Sequence, residues 1–426
     1  MLDWIIAISY ACIIAFFISR TQSKSVSGIK PLWSVSAFVF KVLFGFLNYY
    51  IWMQVIGHGD SLRYVHDGQV VYQSLFDNPL YFLQLLTSTS IEHVPEHLVS
   101  YQHALLIEWH VPEYHMVRLL ALLNVFSFGS VWGNIVLLAA LVWWAQWQLF
   151  GVLIKRFQPS GKQTQVWFGI LFLFPSTLFW SSGLLKEGPV LALLCLLIAQ
   201  ALTWPENTKY RRLRQVVYML LIWCGLFMIR DYVAILVLVQ LVGIGILFAL
   251  PRAGNRPFWR LSAYVLLVTA VATALSVWHL TPDLFAHLQS EQAYFLLSGP
   301  DPDYTFRTLS GTPEDLVFSV PQVLNNVLFR PNLLHSSSVY RVYQSLELMG
   351  VIACCVFLFI RKGWRLKMTT LHAAILLLFL ELLFVFGLMV TDADTLSRYR
   401  SVPMLGIVLM AVISLHAPAT DRKSTE

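Results

Sequence analysis

Long apolar runs separated by short polar stretches make up most of this chain. A helix rises about 1.5 Å per residue, so about twenty apolar residues cross the roughly 30 Å hydrocarbon core of a bilayer. The pattern therefore predicts an all-α, polytopic transmembrane helical bundle of about eleven spans. The runs between residues 165 and 230 are short, which favours half-helices or tilted helices there. The predicted spans lie near residues 2–18, 32–56, 131–154, 165–181, 184–204, 216–230, 232–250, 261–279, 340–360, 369–390 and 401–417.

Two of the polar segments are long, residues 57–130 and 280–339, and both are expected on the outer side of the membrane. The first contains seven of the 12 histidines. It also contains two amphipathic stretches, Val70–Leu86 and Val117–Phe128, which suit helices lying in the membrane interface. We therefore expect a single transmembrane domain over residues 1–426 with two sizeable extracytoplasmic loops that carry short interfacial helices.

The composition fits a membrane protein and excludes an ordinary soluble domain. Apolar residues make up 57% of the chain and charged residues only 12%, whereas a soluble domain has about 25% charged residues. The five cysteines fall within apolar runs, which gives neither a disulfide framework nor a metal-type spacing. Residues 2–18 lack the features of a cleaved signal peptide, so we expect them to form the first span.

Basic residues are concentrated in the short polar stretches. Nineteen of the 29 lysines and arginines, but only three of the 23 acids, lie in six such stretches. The positive-inside rule places these stretches in the cytoplasm, the N-terminus outside and the C-terminus inside. Because the basic residues are spread over several loops, no nucleic-acid partner is expected. The six stretches are residues 19–31, 155–164, 205–215, 251–260, 361–368 and 418–426.

The outer segment after the second span carries the first cluster of candidate catalytic residues. Asp60 and Asp67 are seven residues apart, which puts both carboxylates on one face of a helix, with Arg63 between them. A carboxylate near a cation at the outer end of a span is suited to act as general base towards a hydroxyl acceptor, with Arg63 as a substrate ligand. The alternative is a solvated loop in which Asp60 caps the following helix.

A second cluster follows the turn Ser181–Gly183. Lys186 and Glu187 lie in an otherwise apolar run, where each charge costs about 2.5–3.5 kcal/mol on insertion scales. A lysine beside a turn and a helix start is a candidate phosphate ligand, and Glu187 belongs to the same candidate site. The alternative is that the two charges only neutralise each other.

Arginines near the predicted outer ends of spans are the remaining candidates. The planar guanidinium can bind two phosphate oxygens at once. The alternative is that an arginine at the membrane interface only anchors its helix. Arg398 and Arg400 alternate, so they cannot share a helix face, although both can reach one diphosphate from a turn. The candidates are Arg230, Arg330, Arg341, Arg398 and Arg400.

No cofactor and no metal site is expected, although a divalent metal is not excluded. His93-Val-Pro-Glu-His97 matches the inverted zinc-peptidase pattern HxxEH, which needs a regular helix and a third ligand. Pro95 disrupts such a helix, so we do not interpret this pattern as a zinc site.

Several short motifs together resemble bacterial membrane proteins of envelope-polysaccharide assembly. An aspartate in the first outer segment and the sequences FPSTLFWSSGLLKE, MIRDY and RYRSVP are similar in layout to the GT-C class of glycosyltransferases and to exopolysaccharide and O-antigen polymerases and ligases. The resemblance implies that an outer aspartate deprotonates the acceptor hydroxyl, a role that Asp60 matches best and Asp67 second. It also implies that basic residues hold the lipid phosphate, here Lys186, Arg230, Arg330, Arg398 and Arg400.

The function that the resemblance implies is an inverting glycosyltransferase that uses a polyprenyl-phosphate-linked sugar donor. It would act in cell-envelope polysaccharide assembly at the extracytoplasmic face of a bacterial inner (plasma) membrane. Nucleotide sugars are not supplied there, so the donor has to be lipid-linked, and the leaving phosphate needs cations already in place. The expected partners are the lipid-linked donor, a glycan acceptor, membrane lipids and other polysaccharide-assembly proteins.

Two other functions stay open. The acidic loop of GT-C enzymes usually follows the first span, whereas here it follows the second, which leaves open a repeat-unit polymerase whose arginines act on a polyprenyl diphosphate. The other alternative is a lipid-glycan transporter or flippase, because Lys41, Glu347 and Glu381 lie within predicted spans. Polar residues at the outer ends of spans, without an internal repeat, favour the enzyme.

Overall fold

The fold is described from a computed structural model of the protein. The structure describes residues 2–22, 28–89, 94–109, 111–204, 209–249, 282–297, 299, 306–312, 314–335, 338–362 and 370–416. Every regular element in these ranges is a helix, which confirms the predicted all-α class. The chain divides into two compact units, Met1–Ala234 and Ile235–Glu426.

The first unit contains the helices up to Ile229 and the start of α12. In chain order its described α-helices are α1 (Leu2–Gln22), α2 (Pro31–Tyr50), α3 (Asp60–Asp77), α4 (Pro79–Thr87), α5 (Val99–Ala104), α6 (Tyr114–Ser127), α7 (Val131–Phe157), α8 (Gly161–Leu173), α9 (Pro175–Trp180), α10 (Glu187–Thr203), α11 (Lys209–Ile229) and α12 (Asp231–Ala249). A single π-helical turn, Ile51–Ile56, extends α2, and the short 3-10 helix Glu96–Leu98 precedes α5.

Helix α7 is the centre of the first unit. It packs against α1, α2, α6, α8 and α10, and α3 packs against α6. Val136, Val142 and Leu153 of α7 are fully buried. Because lipid tails are as apolar as these side chains, close packing between the helices stabilises the arrangement more than removal from water does.

Local signals in the sequence explain where the helices begin and end. The Ser130 hydroxyl accepts the Gly133 N–H at 3.1 Å and caps α7. The Asn78 side chain accepts the Leu80 N–H at 2.9 Å, so the predicted amphipathic stretch Val70–Leu86 is divided between α3 and α4 at this cap. The π-helical turn ends at Gly57, whose φ of 77° suits a residue without a Cβ.

The apolar run after α7 is divided into short helices. Pro175 lacks an N–H and restricts Phe174 to an extended conformation, so α8 ends at Leu173. Helix α9 has only six residues, and a non-helical turn, Ser181–Lys186, leads into α10. Its residues from Ser181 to Leu185 are all buried. We call residues 181–186 the buried turn.

The structure supports part of the predicted set of about eleven membrane spans. Within the described residues, six helices are long and apolar enough to cross a membrane. Pro175 and the buried turn divide the run 165–204 into pieces, and the predicted span 261–279 lies outside the described residues. The six helices are Leu2–Thr21, Pro31–Ile56, Val131–Phe157, Tyr210–Ile229, Leu371–Met389 and Ala393–Ser414.

The second unit is also built from helices. After α12 its described α-helices are α13 (Pro282–Leu297), α14 (Glu314–Phe318), α15 (Val320–Phe329), α16 (Val339–Lys362), α17 (Thr370–Met389) and α18 (Ala393–His416), with the 3-10 helix Leu333–His335 after α15. Helix α17 packs against α13, α15 and α18, and α16 packs against α15 and α18. The predicted outer segment 280–339 therefore contributes packed helices to this unit.

Helix α2 makes its closest approach to the buried turn at Gly45. A Cβ atom at Gly45 would lie 2.6 Å from the carbonyl oxygen of Ser182 and 2.5 Å from Cγ2 of Ile135. Real Cβ atoms essentially never come so close to other atoms, so the absence of a side chain at Gly45 permits this contact. By contrast, a Cβ at Gly151 of α7 would meet no atom within 4 Å.

We expect opposite effects from the substitutions Gly45→Ala and Gly151→Ala. Alanine is favoured over glycine within a helix by about 1 kcal/mol, so Gly151→Ala should leave stability unchanged or raise it. Gly45→Ala should lower stability by about 1–3 kcal/mol, because the added methyl group forces α2 away from the buried turn. Thermal unfolding in detergent, followed by tryptophan fluorescence, measures both variants. Equal unfolding temperatures would show that the close approach is not required.

Candidate functional site

Lys186 and Glu187 are neighbours in sequence but form ion pairs with different partners. The Nζ of Lys186 lies 2.9 Å from Oε1 of Glu113, and Oε1 of Glu187 lies 2.6 Å from Nη2 of Arg230. The alternative that Lys186 and Glu187 neutralise each other is therefore wrong. The buried turn directs Lys186 towards α6, while Glu187, the first residue of α10, faces the end of α11.

The two ion pairs differ greatly in their exposure. The side chains of Glu187 and Arg230 are only 3% and 5% exposed, whereas those of Lys186 and Glu113 are 14% and 47% exposed. Arg230 also donates from Nη1 to the hydroxyl of Tyr232 at 2.5 Å. The Glu187–Arg230 pair is thus part of the protein interior, and the Lys186–Glu113 pair is partly open to solvent.

Glu113 is a candidate residue that the sequence-based interpretation missed. It immediately precedes α6, and the Asp60 carboxylate at the start of α3 is close enough to repel it. Burial and this repulsion raise the pKa of Glu113, but the charge and hydrogen bond of Lys186 bring it below its ordinary value. The three side chains form one mixed-charge cluster, which we call the acidic–basic cluster. An acid directly before an apolar helix in the outer segment was the available signal.

His115 and Arg118 lie beside the acidic–basic cluster on the first turns of α6. Nη1 of Arg118 donates to Nδ1 of His115 at 2.8 Å, and Nη2 of Arg118 donates to the carbonyl oxygen of Ser88. Burial, together with the charges of Arg118 and Lys186, lowers the pKa of His115. A guanidinium only donates hydrogen bonds, so the neutral ring accepts at Nδ1 and carries its proton on Nε2.

The hydrogen bonds of Asp67 suit a structural role, whereas the sequence predicts a catalytic one. Its side chain is fully buried, and its two oxygens accept the backbone N–H groups of Leu106 at 2.9 Å and Ile107 at 2.8 Å. Nδ1 of His66 lies 2.8 Å from the same carboxylate. Arg63 donates to the carbonyl oxygen of Leu106 at 3.1 Å. The geometry therefore favours Asp67 and Arg63 as the residues that hold the segment before α6 against α3.

Lys41 of α2 connects the membrane helices to the buried turn. The side chain is 2% exposed, and its Nζ donates to Oγ of Ser181 at 2.7 Å. Two helical turns further on, Asn48 packs so closely on Gly183 that a Cβ there would lie 2.2 Å from Oδ1 of Asn48. These contacts fix the turn that carries Lys186 into the acidic–basic cluster.

The remaining predicted arginines belong to the second unit. Arg400 is 3% exposed, and its Nη1 donates to the carbonyl oxygen of Arg330 at 2.5 Å. Arg398 lies over the ring of Tyr399 at 5.1 Å, and Arg341 is in the first turn of α16. Helix α18 already begins at Ala393, so Arg398 and Arg400 project from different helix faces. The turn that would let both reach one diphosphate is absent from this described helix.

The structure thus brings together only part of the predicted site. In the first unit Asp60 and Lys186 meet through Glu113, and the pair of Glu187 and Arg230 adjoins them. Asp67 and Arg63 are instead hydrogen-bonded to the backbone of Leu106. Among the described residues, no group of three or more His, Cys, Asp or Glu side chains is placed to hold a metal ion. His93 of the HxxEH pattern lies outside the described residues.

Comparisons of this chain with protein families, with curated proteins and with solved structures found no match.

We expect Glu187→Gln to destabilise the protein far more than Glu113→Gln. Loss of the Glu187 charge leaves the buried Arg230 guanidinium without its counter-charge, which costs about 3–5 kcal/mol. Loss of the Glu113 charge disrupts a partly exposed pair and costs at most about 1 kcal/mol. The unfolding midpoints of the two variants in detergent test the difference, and a similar loss in both would contradict the assignment of the buried pair.

The Lys186–Glu113 interaction should depend on pH in a defined direction. The folded protein lowers the pKa of Glu113 below its ordinary value, so the coupling is complete above that ordinary value, at about pH 4.5. It should be lost as the pH falls through the lower folded-state pKa, because a protonated Glu113 carries no charge. A double-mutant cycle of Glu113→Gln and Lys186→Met, measured by unfolding at pH 7 and at successively lower pH, gives the coupling energy. A coupling that persists at low pH would contradict this interpretation.

Proposed function

We propose that this protein is a glycosyltransferase that takes a sugar from a polyprenyl-phosphate-linked donor at the extracytoplasmic face of a bacterial inner membrane. The observation that supports the proposal is the acidic–basic cluster of Asp60, Glu113 and Lys186 at one end of the helices of the first unit. An inverting sugar transfer requires a carboxylate base and a cation for the leaving phosphate, and this cluster contains both.

The position of the cluster along α10 and α11 agrees with an outer site. Glu187 begins α10 and Arg230 follows α11 at the cluster. At the other end of α10, Arg156 donates to the carbonyl oxygen of Leu202 at 2.8 Å, and α11 begins there with basic residues. Because basic ends face the cytoplasm by the positive-inside rule, the acidic–basic cluster would face outward, with the N-terminus outside.

The proposed reaction assigns a role to each side chain of the cluster. The Asp60 carboxylate takes the proton of the acceptor hydroxyl while its oxygen attacks the anomeric carbon of the donor sugar. The bond between that carbon and the phosphate oxygen breaks, and the polyprenyl phosphate leaves with the bonding electrons. The Lys186 ammonium stabilises the charge that develops on the phosphate, because a preplaced cation needs no reorganisation during the step.

Glu113 would couple donor binding to base strength in this scheme. A donor phosphate competes with Glu113 for the Lys186 ammonium, and Lys186 is the group that lowers the pKa of Glu113. When the phosphate takes Lys186, the Glu113 carboxylate becomes a stronger base beside Asp60. In this scheme the buried Glu187–Arg230 pair fixes the start of α10 and so holds the neighbouring Lys186 in position.

The test is envelope-glycan output from a deletion strain complemented with Asp60→Asn, Glu113→Gln or Lys186→Met, each at matched membrane abundance. We expect a loss of at least about 100-fold for Asp60→Asn, in the range typical of a general base, with accumulation of a lipid-linked precursor. Glu96→Gln, which changes an exposed acid of the same outer segment, is the matched control. Full output from Asp60→Asn and from Glu113→Gln would refute a carboxylate base.

A lipid-glycan transporter is the second candidate, because Glu381 lies within the apolar helix α17 and accepts a hydrogen bond from Nε2 of Gln240 at 2.7 Å. A polar pair inside a span is typical of transport pathways. The same strains distinguish the two functions. A transferase defect leaves the precursor accessible to a membrane-impermeant reagent from outside, whereas a flippase defect leaves it on the cytoplasmic side.

A further inference from the structure

A polar cleft lies at the opposite end of α10 and α11 from the acidic–basic cluster. It has a volume of about 630 Å³ and lies between the last turns of α10 and the first turns of α11. Two guanidinium groups, two tyrosines and two amides share this concave surface. The lining residues are Gln200, Tyr210, Arg211, Arg214, Gln215 and Tyr218.

The floor of the cleft is fixed by hydrogen bonds. Gln215 is only 5% exposed, and its Nε2 donates to the carbonyl oxygen of Gln200 at 2.5 Å and to Oγ1 of Thr203 at 3.1 Å. Arg211 and Arg214 are exposed above this floor, and neither pairs with a carboxylate of the described residues. Both guanidinium groups are exposed and so are accessible to an anion in the cleft.

The arrangement along α11 indicates an elongated ligand with one polar end. Arg211, Arg214 and Tyr218 recur at helical spacing and share one side of α11. In the next turn Leu220 and Leu221 are 55% and 65% exposed, and the helix is apolar enough to cross a membrane. A molecule with an anionic head and apolar chains would match both parts of this surface.

We propose that this cleft is a specific binding site for the headgroup of an anionic phospholipid, with its acyl chains along α11. The two guanidinium groups would bind the phosphate, since paired N–H groups match phosphate oxygens. A soluble phosphate compound carries the same anionic group but gains nothing from the apolar side of α11. This site is independent of the proposed transferase activity.

Arg212 provides the control that distinguishes specific binding in the cleft from general attraction to an anionic membrane surface. It lies between Arg211 and Arg214 in sequence but does not line the cleft, and its guanidinium lies 5.9 Å from the ring centroid of Trp204. General surface attraction would depend on all three charges about equally. Binding in the cleft would instead depend on Arg211 and Arg214 and not on Arg212. The variant Arg212→Gln is therefore a control that removes the same charge.

Native mass spectrometry of the full-length protein, released from nanodiscs with equal phosphatidylglycerol and phosphatidylcholine, measures the bound lipid. We expect retention of phosphatidylglycerol over phosphatidylcholine, reduced at least about tenfold by Arg211→Gln or Arg214→Gln, the loss typical of a hydrogen bond to a charged group. Arg212→Gln should change retention less than about twofold. Thermal unfolding of each variant confirms that these exposed substitutions leave the fold intact.

Three results would overturn the proposal. Equal losses from all three arginine variants would indicate general surface attraction, and an absence of phosphatidylglycerol preference in the unsubstituted protein would exclude a headgroup site. Displacement of the lipid by millimolar inorganic phosphate would assign the cleft to a soluble anion. None of these measurements depends on sugar transfer, so the lipid site and the transferase can fail separately.

Discussion

The arrangement of the first unit depends on how the chain is interrupted after α9. A non-helical segment among apolar helices exposes backbone N–H and C=O groups, which is tolerated in a membrane only where protein covers them. Helix α2 covers the buried turn, with Gly45 against the Ser182 carbonyl and the Lys41 ammonium on the Ser181 hydroxyl. The interruption of the helix therefore depends on its contacts with α2.

The interruption also separates two adjacent charges into different environments. On a continuous helix Lys186 and Glu187 would project about 100° apart and compete for the same surroundings. Because α10 begins at Glu187, the glutamate faces Arg230 in the interior, while Lys186 faces the partly exposed Glu113. A buried pair keeps a fixed geometry since breaking it leaves an uncompensated charge. A partly exposed pair can exchange partners at little cost.

The sequence predicted those features that depend on neighbouring residues. Apolar runs of sufficient length indicated α1, α2 and α7, and Pro175 explains why the run 165–204 does not form two full spans.

Contacts between distant residues could not be predicted. Glu113 is 73 residues from Lys186, and the partners of Asp67 are backbone N–H groups some 40 residues away, which no residue pattern specifies. The helix that contains both Arg398 and Arg400 begins before the predicted span, because the polar residues at its start pack within the second unit.

In the proposed transferase, the charges around each carboxylate decide which of the acidic residues is suited to act as the base. Asp67 is fully buried and its two oxygens accept the backbone N–H groups of Leu106 and Ile107, so it is placed to hold the chain and not to contact a substrate. Glu113 is partly exposed, but the Lys186 ammonium lowers its pKa and so weakens it as a base while the ion pair is formed. Asp60 repels Glu113 from the start of α3, and its own helix stabilises a negative charge at that end. A donor phosphate that removes Lys186 from Glu113 would leave two adjacent carboxylates, of which one readily accepts a proton because like charges at short distance cannot both stay ionised without cost. In the proposed transferase, a pair of carboxylates controlled by one lysine would therefore supply a base whose strength depends on the presence of the donor.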